Sequence, residues 1–213
     1  MPANAANPSG FRRLLIATTN PHKIREFREI LAGLPYELVN PDDLALSLAV
    51  EETGTTFAEN AALKAMAWAD AAGTLALADD SGLEIDALGG EPGIYSARWA
   101  GADVSYEERF QIILARLADV PAERRTARYR AAIAVARPAP DGLAGVVEGT
   151  LEGQIAFAPA GSGGFGYDPI FYVPEQHRTV GQMTADEKHR ISHRARAAAA
   201  AREMLQRLAN ESN

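Results

Sequence analysis

Five short stretches carry residues whose types and spacing can do chemistry. In "ADDSG", residues 78–82, an apolar run over 74–78 ends on adjacent carboxylates, Asp79 and Asp80, followed by Ser81 and a glycine. Neighbouring anions repel, and burial raises the cost of ionising either one. A solvated turn is the plain account, because Asp, Ser and Gly are ordinary turn residues. The sharper one is that something positive sits there. "EETG", residues 51–54, brings a second acid pair, Glu51 and Glu52, just ahead of a helix signal. A solvated loop explains it equally well. Carboxylates converging from both segments would suit Mg²⁺, which takes one or two carboxylates beside phosphate oxygens and water.

"TTNPHK", residues 18–23, reads as a strand–turn–helix junction. Lys23 falls in the first helical turn, where positive charge opposes the macrodipole. Its place makes sense if it shares an anion with the helix N-terminus, where phosphate is readily bound. An ordinary cap with a solvated lysine is the alternative. In "EKHRISHRAR", residues 187–196, Lys188, His193 and Arg194 surround a later helix start, while His189, Arg190 and Arg196 read as a solvated face.

"GSGGFGYDPIF", residues 161–171, holds a literal G-x-G-x-x-G at Gly161, Gly163 and Gly166, with Asp186 and Glu187 further on. A dinucleotide-binding turn is rejected. No buried strand leads into the motif, and extended chain follows where a helix should begin. The stretch reads instead as a Gly-rich loop delivering Phe165, Tyr167 and Asp168 to a pocket. Aromatic faces stack on nucleobases, and a carboxylate accepts from their N–H edges. A turn with core aromatics is the competing account.

These residues need a scaffold. A short strand at 14–16 leads to a helix with Asn20 as N-cap, Pro21 in its first position and Gly33 past its end. Ile24, Phe27, Ile30 and Leu31 share one face of it. A second strand is expected at 35–40. Thr56 with Glu59 opens the next helix as a capping box and Gly73 closes it. The strand at 74–78 follows, then a helix opened by Ser105 and Glu108. Two longer strands, 126–138 and 142–157, flank a Pro/Gly/Asp turn. Thr184 and Glu187 form another box before a long helix from about residue 192 to 208. The expectation is one α/β domain over 13–210, two-lobed with a cleft, after a loose Ala/Asn/Pro-rich tail over 1–12.

Composition narrows the function. The chain has 213 residues, 47% hydrophobic and 23% charged, ordinary for a globular protein. A net charge of −7 argues against broad electrostatic capture of nucleic acid or anionic membrane, so an anionic ligand needs a local cation cluster or a metal. The absence of cysteine excludes disulfides, thiolate catalysis and Cys-ligated zinc. His22, His177, His189 and His193 show no metal-ligand spacing, so any metal would be hard and oxygen-bound. No apolar stretch approaches a membrane span and no signal core is visible; a soluble, cytoplasmic protein is expected.

Taken together, "TTNPHK", "EETGTTFAENAALKA", "ADDSGLEIDALGGEPGIYSARWAG", "GGFGYDPIF" and "EK…SHRARA" resemble, in order, the inosine/xanthosine triphosphate pyrophosphatase family. The likeness runs from Leu14 to about Leu208; Thr19 stands where many members have glycine, and Trp99 where tyrosine is common. It implies an elongated, two-lobed α/β fold with a central mixed sheet flanked by helices, an active-site cleft between the lobes, and a homodimer. It also implies Mg²⁺-dependent hydrolysis of ITP, dITP and XTP to the monophosphate and pyrophosphate. By position, Thr18, Thr19, Asn20, Pro21, His22 and Lys23 would hold the triphosphate. Glu52 and Asp80 would serve the metal, with Asp80 also accepting a proton from the attacking water. Ser81, Phe165, Gly166, Tyr167, Asp168, Lys188, His193 and Arg194 would contact nucleotide or base. A related enzyme acting on modified pyrimidine triphosphates, or a nucleotide sensor without turnover, would be the rivals.

Overall fold

Leu14, Leu15 and Ile16 are fully buried in the computed structural model, which describes residues 12–101 and 103–211. They form most of β1 (Arg12–Ile16), which lies between β2 (Tyr36–Val39) and β3 (Leu75–Ile85) and is parallel to both. Arg12, placed in the expected tail, is the first strand residue; the rest of that tail lies outside the described residues. From β3 the sheet turns antiparallel through β4 (Thr126–Ala136), β5 (Leu143–Ile155), β6 (Phe171–Val173) and β7 (Arg178–Thr179). The order is β2-β1-β3-β4-β5-β6-β7, a mixed seven-stranded sheet flanked by helices.

The helices begin where their side-chain caps dictate. The Asn20 carboxamide accepts from the His22 and Lys23 amides and starts α1 (Pro21–Ile30). Reciprocal capping boxes start α2 (Phe57–Ala72), α3 (Tyr106–Arg116) and α4 (Ala185–Ile191) from Thr56, Ser105 and Thr184. Gly73, at φ 62°, stops α2 in the left-handed region that favours glycine. Ser192 is extended and separates α4 from α5 (His193–Glu211).

Strand alternation sorts the core. Leu14, Ile16, Leu77 and Ile133 pack under Phe27 of α1, its C-cap Leu31, and Ala197, Ala201 and Leu205 of α5. On the other face Leu15, Ala76, Ala78, Ala132 and Ala134 pack under Ala61, Ala65 and Trp68 of α2. A third cluster joins Leu83, Ile85 and Tyr129 to Phe110 and Ile113 of α3 and to Phe171. The long strands β3, β4 and β5 run between these groups.

One expectation fails here. The sequence reading ends the third strand at residue 78, whereas β3 continues through Asp79, Asp80, Ser81 and Gly82 to Ile85, paired with β4 throughout. The acids stay in the strand because each has its own cation, as described below. Gly82 is required for close packing: a Cβ there would overlap Ser96 Oγ and come within 2.5 Å of the Gly93 carbonyl.

Gly149 on β5 plays the same part beneath α5. An added Cβ would strike the His193 carbonyl oxygen and lie 2.5 Å from the Ala197 amide nitrogen, both backbone atoms unable to swing aside. Gly149→Ala is therefore expected to lower the free energy of unfolding by about 1–3 kcal/mol, the usual cost of overpacking. A urea midpoint shift at unchanged slope measures it.

Candidate active site

Asp79 and Asp80 point to opposite faces of β3, as strand geometry requires. Asp79 faces α1 and α5. Its carboxylate receives Lys23 Nζ at 2.6 Å, Arg194 Nε and Nη2 at 3.4 Å each, and the Ser81 hydroxyl at 3.1 Å. Burial disfavours its charge, but Arg194 and Lys23 more than offset this and hold its pKa well below the usual carboxylate range. Asp80 faces α2, where Lys64 Nζ donates to Oδ1 at 2.8 Å. Oδ2 is buried without a hydrogen-bond partner among the described residues. Burial, helped by the negative charge of Glu52, outweighs the pull of Lys64 and raises the pKa of Asp80.

Lys64 also donates to Glu52 Oε1 at 2.8 Å, and Arg98 reaches Glu52 Oε2 at 2.6 Å. The two acid segments therefore meet, as expected, with one ammonium between them. Burial works against the charge on Lys64, yet its two carboxylates raise its pKa, so it stays protonated. Lys64 and Arg98 together match the charges of Glu52 and Asp80, and the orphaned Asp80 Oδ2 is left as an acceptor with no partner among the described residues. That arrangement fits a divalent cation. Among the described residues no group of three or more His, Asp or Glu could hold a metal, so two carboxylates are what this site offers.

Thr18, Thr19, Asn20 and Lys23 line the same pocket of about 280 Å³ with Glu52 and Asp80; Pro21 and His22 do not. Asn20 already accepts from the His22 and Lys23 amides, so this helix end presents side chains more than free N–H groups. Lys23 does face an anion, and in this structure that anion is Asp79. Burial lowers the Lys23 pKa, opposed by Asp79. Glu51 is exposed and apart from these contacts.

A second pocket, of about 90 Å³, shares Asn20, Lys23 and Ser81 with the first and extends to Phe165, Gly166, Tyr167, Asp168, Lys188, His193 and Arg194. Charges alternate from Arg194 to Asp168 by way of Glu26, which does not itself line this pocket. Arg194 donates to Glu26 at 2.7 Å, Glu26 pairs with Lys188 at 3.1 Å, and Lys188 donates to Asp168 at 2.9 Å. Asp168 also accepts from the Tyr129 hydroxyl at 3.1 Å and the Phe165 amide at 2.8 Å. The cations thus lie near internal acids. Lys188 itself stands late in α4 rather than at a helix start. His189, Arg190 and Arg196 sit outside this chain, with Arg190 and Arg196 exposed.

His193 is stacked on Tyr129, centroids 4.7 Å apart, and its Nδ1 is buried with no partner among the described residues. Burial and the Arg194 charge push its pKa well below 6.5, so the imidazole is neutral at pH 7. The two loop aromatics part company. Tyr167 is core: its hydroxyl donates to the Ser96 carbonyl at 2.9 Å and its ring meets Tyr106 edge-on at 5.2 Å. Phe165 stays half-buried, with Lys188 Nζ 4.3 Å over its ring. After it, residues 168–170 form one 3-10 turn before β6, where extended chain was expected; the Ile170 and Phe171 amides both return to the Tyr167 carbonyl.

Sequence reasoning missed Lys64 and Glu26. Lys64 is the one charge between Glu59 and Asp70 in an Ala-rich helix, a visible anomaly. Glu26 lies three residues after Lys23, on the same side of α1.

Arg194 is buried between Asp79 and Glu26, so Arg194→Ala strands two acids. A loss of about 3–5 kcal/mol is expected, measured by urea denaturation. His193 sets a pH dependence. Its folded pKa is depressed, so below about pH 6.5 the unfolded chain binds a proton that the folded one refuses. The stability it contributes is present above pH 6.5 and is lost as pH falls through its folded pKa. Unfolding free energies at pH 7.5 and 5.5 should fall less in His193→Gln than in the parent chain.

Residues 14–204 match the model of the Ham1 family. A dITP/XTP pyrophosphatase of Symbiobacterium thermophilum is 53% identical over 201 residues, covering 94% of this chain and 98% of that protein. One from Streptomyces coelicolor is 51% identical over 187 residues, covering 87% and 92%. The solved structure of a HAM1 protein from Coxiella burnetii, 38% identical, superposes with a TM-score of 0.84 over 92% of this chain and 100% of its own. With nearly the whole described chain matched in sequence and in fold, this protein belongs to the Ham1 family.

Proposed function

We propose that this chain hydrolyses ITP, dITP and XTP between the α and β phosphates, releasing the monophosphate and pyrophosphate. Relatives at 51–53% identity carry the dITP/XTP pyrophosphatase name. The observation that carries the reading is the Glu52–Lys64–Asp80 cluster, with its orphaned Asp80 Oδ2, beside a pocket that ends on a neutral His193 whose Nδ1 has no partner among the described residues.

The triphosphate lies along Thr18, Thr19, Asn20 and Lys23. Ser81, common to both pockets, stands where sugar joins triphosphate. Glu52 and Asp80 would hold Mg²⁺, which when bound would offset phosphate charge and acidify water. Asp80 accepts the proton of the water that attacks the α phosphorus, through the oxygen that Lys64 leaves without a partner among the described residues. Lys64 holds Asp80 and Glu52 in place by Oδ1 and Oε1.

For the base, Phe165 supplies a stacking face. Lys188 and His193 supply the donors suited to a 6-oxo purine. Adenine, with an amino group there, would leave them facing another donor, a mismatch that weakens ATP and so gives selectivity. Arg194 has Asp79, Glu26 and Ser81 as partners already, so it fixes the pocket more than it reads the base. Tyr167 and Gly166 shape the loop. A homodimer and a cytoplasmic place of action, both implied by the resemblance, complete the reading. No helix among the described residues is long and apolar enough to cross a membrane.

Pyrophosphate release from a panel of nucleoside triphosphates, with Mg²⁺ and with EDTA, tests it. ITP, dITP and XTP should exceed ATP in kcat/KM by on the order of 10²-fold, and EDTA should abolish turnover. Preference for modified pyrimidines, or tight binding of ITP without turnover, would replace the proposal with one of its rivals.

A further inference from the structure

His22 projects from the first turn of α1 and is exposed, yet its ring lies on Phe165, with centroids 5.2 Å apart and planes 20° from parallel. Phe165 belongs to the stretch 161–166, which has no regular secondary structure. It is fixed by the hydrogen bond that its amide donates to Asp168 Oδ2 and by what touches its ring. Lys188 Nζ at 4.3 Å and Arg194 Cζ at 5.5 Å also stand over that ring.

The 90 Å³ pocket is lined by Phe165, Lys188 and Arg194 but not by His22. A cleft of about 590 Å³ is walled by His22 and Phe165 and by neither cation. Lys188 also joins His22 and Phe165 in a cleft of about 400 Å³, so the imidazole lies outside the 90 Å³ pocket without being apart from the ammonium.

We propose that His22 is a positioning residue for base recognition: it backs Phe165 and holds the ring ready to stack, rather than gripping the triphosphate as the resemblance implies. This rests on the nucleotide reading above. Without the imidazole, Phe165 must be immobilised when the base arrives, and that ordering cost falls on binding. The bond-breaking step is left alone, since His22 does not line the pocket of Asp80.

Steady-state kinetics of parent, His22→Ala and His22→Phe with ITP and XTP test this. Alanine keeps the backbone amide that Asn20 caps, so the thermal midpoint should be unchanged. The proposal predicts that His22→Ala raises KM for both nucleotides alike, by roughly three- to tenfold, with kcat within about twofold. His22→Phe should restore KM, since any flat ring can back Phe165. An unchanged or lowered KM in His22→Ala, the latter meaning that the imidazole occupies the place of the base, overturns it. So does a fall in kcat at constant KM, which would assign His22 to the phosphates. Failure of the parent chain to hydrolyse ITP would remove the nucleotide reading itself, and this inference with it.

Discussion

Two adjacent buried carboxylates on a central strand must each be neutralised, and strand geometry forces the two solutions onto opposite faces of the sheet. Asp79 draws Lys23 and Arg194 from α1 and α5; Asp80 draws Lys64 from α2. Three helices are thereby tied to one dipeptide in β3. Left unpaired, either acid would protonate or leave the strand, because isolated charge is too costly in the core. The division also separates duties. Asp79 has three donor side chains on it and is held ionised. Asp80 keeps one oxygen without a partner among the described residues and a raised pKa, the condition of a group able to take a proton.

From Asp79 the compensation propagates. Arg194, placed by the acid, has charge to share with Glu26; Glu26 holds Lys188; Lys188 holds Asp168. Buried ion pairs are weak evidence for stability, since apolar replacements of like volume often do as well. What this chain provides is a set of fixed charges running from the pocket of Asp80 to that of His193. Small residues make room for it. Gly149 lets α5 sit on β5 closely enough for His193 and Arg194 to enter the pocket.

Much of this is legible in the sequence, for local reasons. The N-caps at Asn20, Thr56, Ser105 and Thr184 depend on residues three or fewer apart, and all four appear where their spacing puts them. Rejection of the dinucleotide turn at Gly161 also holds, since β6 follows that loop and no helix grips its N–H groups. The course of β3 was not legible. Whether a strand can pass through two aspartates depends on lysines and an arginine that are 16 to 115 residues away, and periodicity carries no such information. For the same reason Lys64 and Glu26 escaped notice: their signals are local anomalies, but their partners are distant. The two roles open to the loop aromatics were likewise settled by packing, with Tyr167 in the core and Phe165 outside it.

The division of labour between the two acids is most directly tested by comparing Asp79→Asn with Asp80→Asn, each assayed for urea stability and for pyrophosphate release from ITP. The account predicts that Asp79→Asn loses several kcal/mol of stability, because it leaves Lys23 and Arg194 short of a buried counter-charge, about 3–5 kcal/mol by analogy with broken buried pairs. Asp80→Asn should stay close to the parent in stability and lose on the order of 10²–10⁴-fold in kcat. Equal losses of stability in the two variants, or an Asp80→Asn protein that turns over ITP at the parent rate, would contradict it.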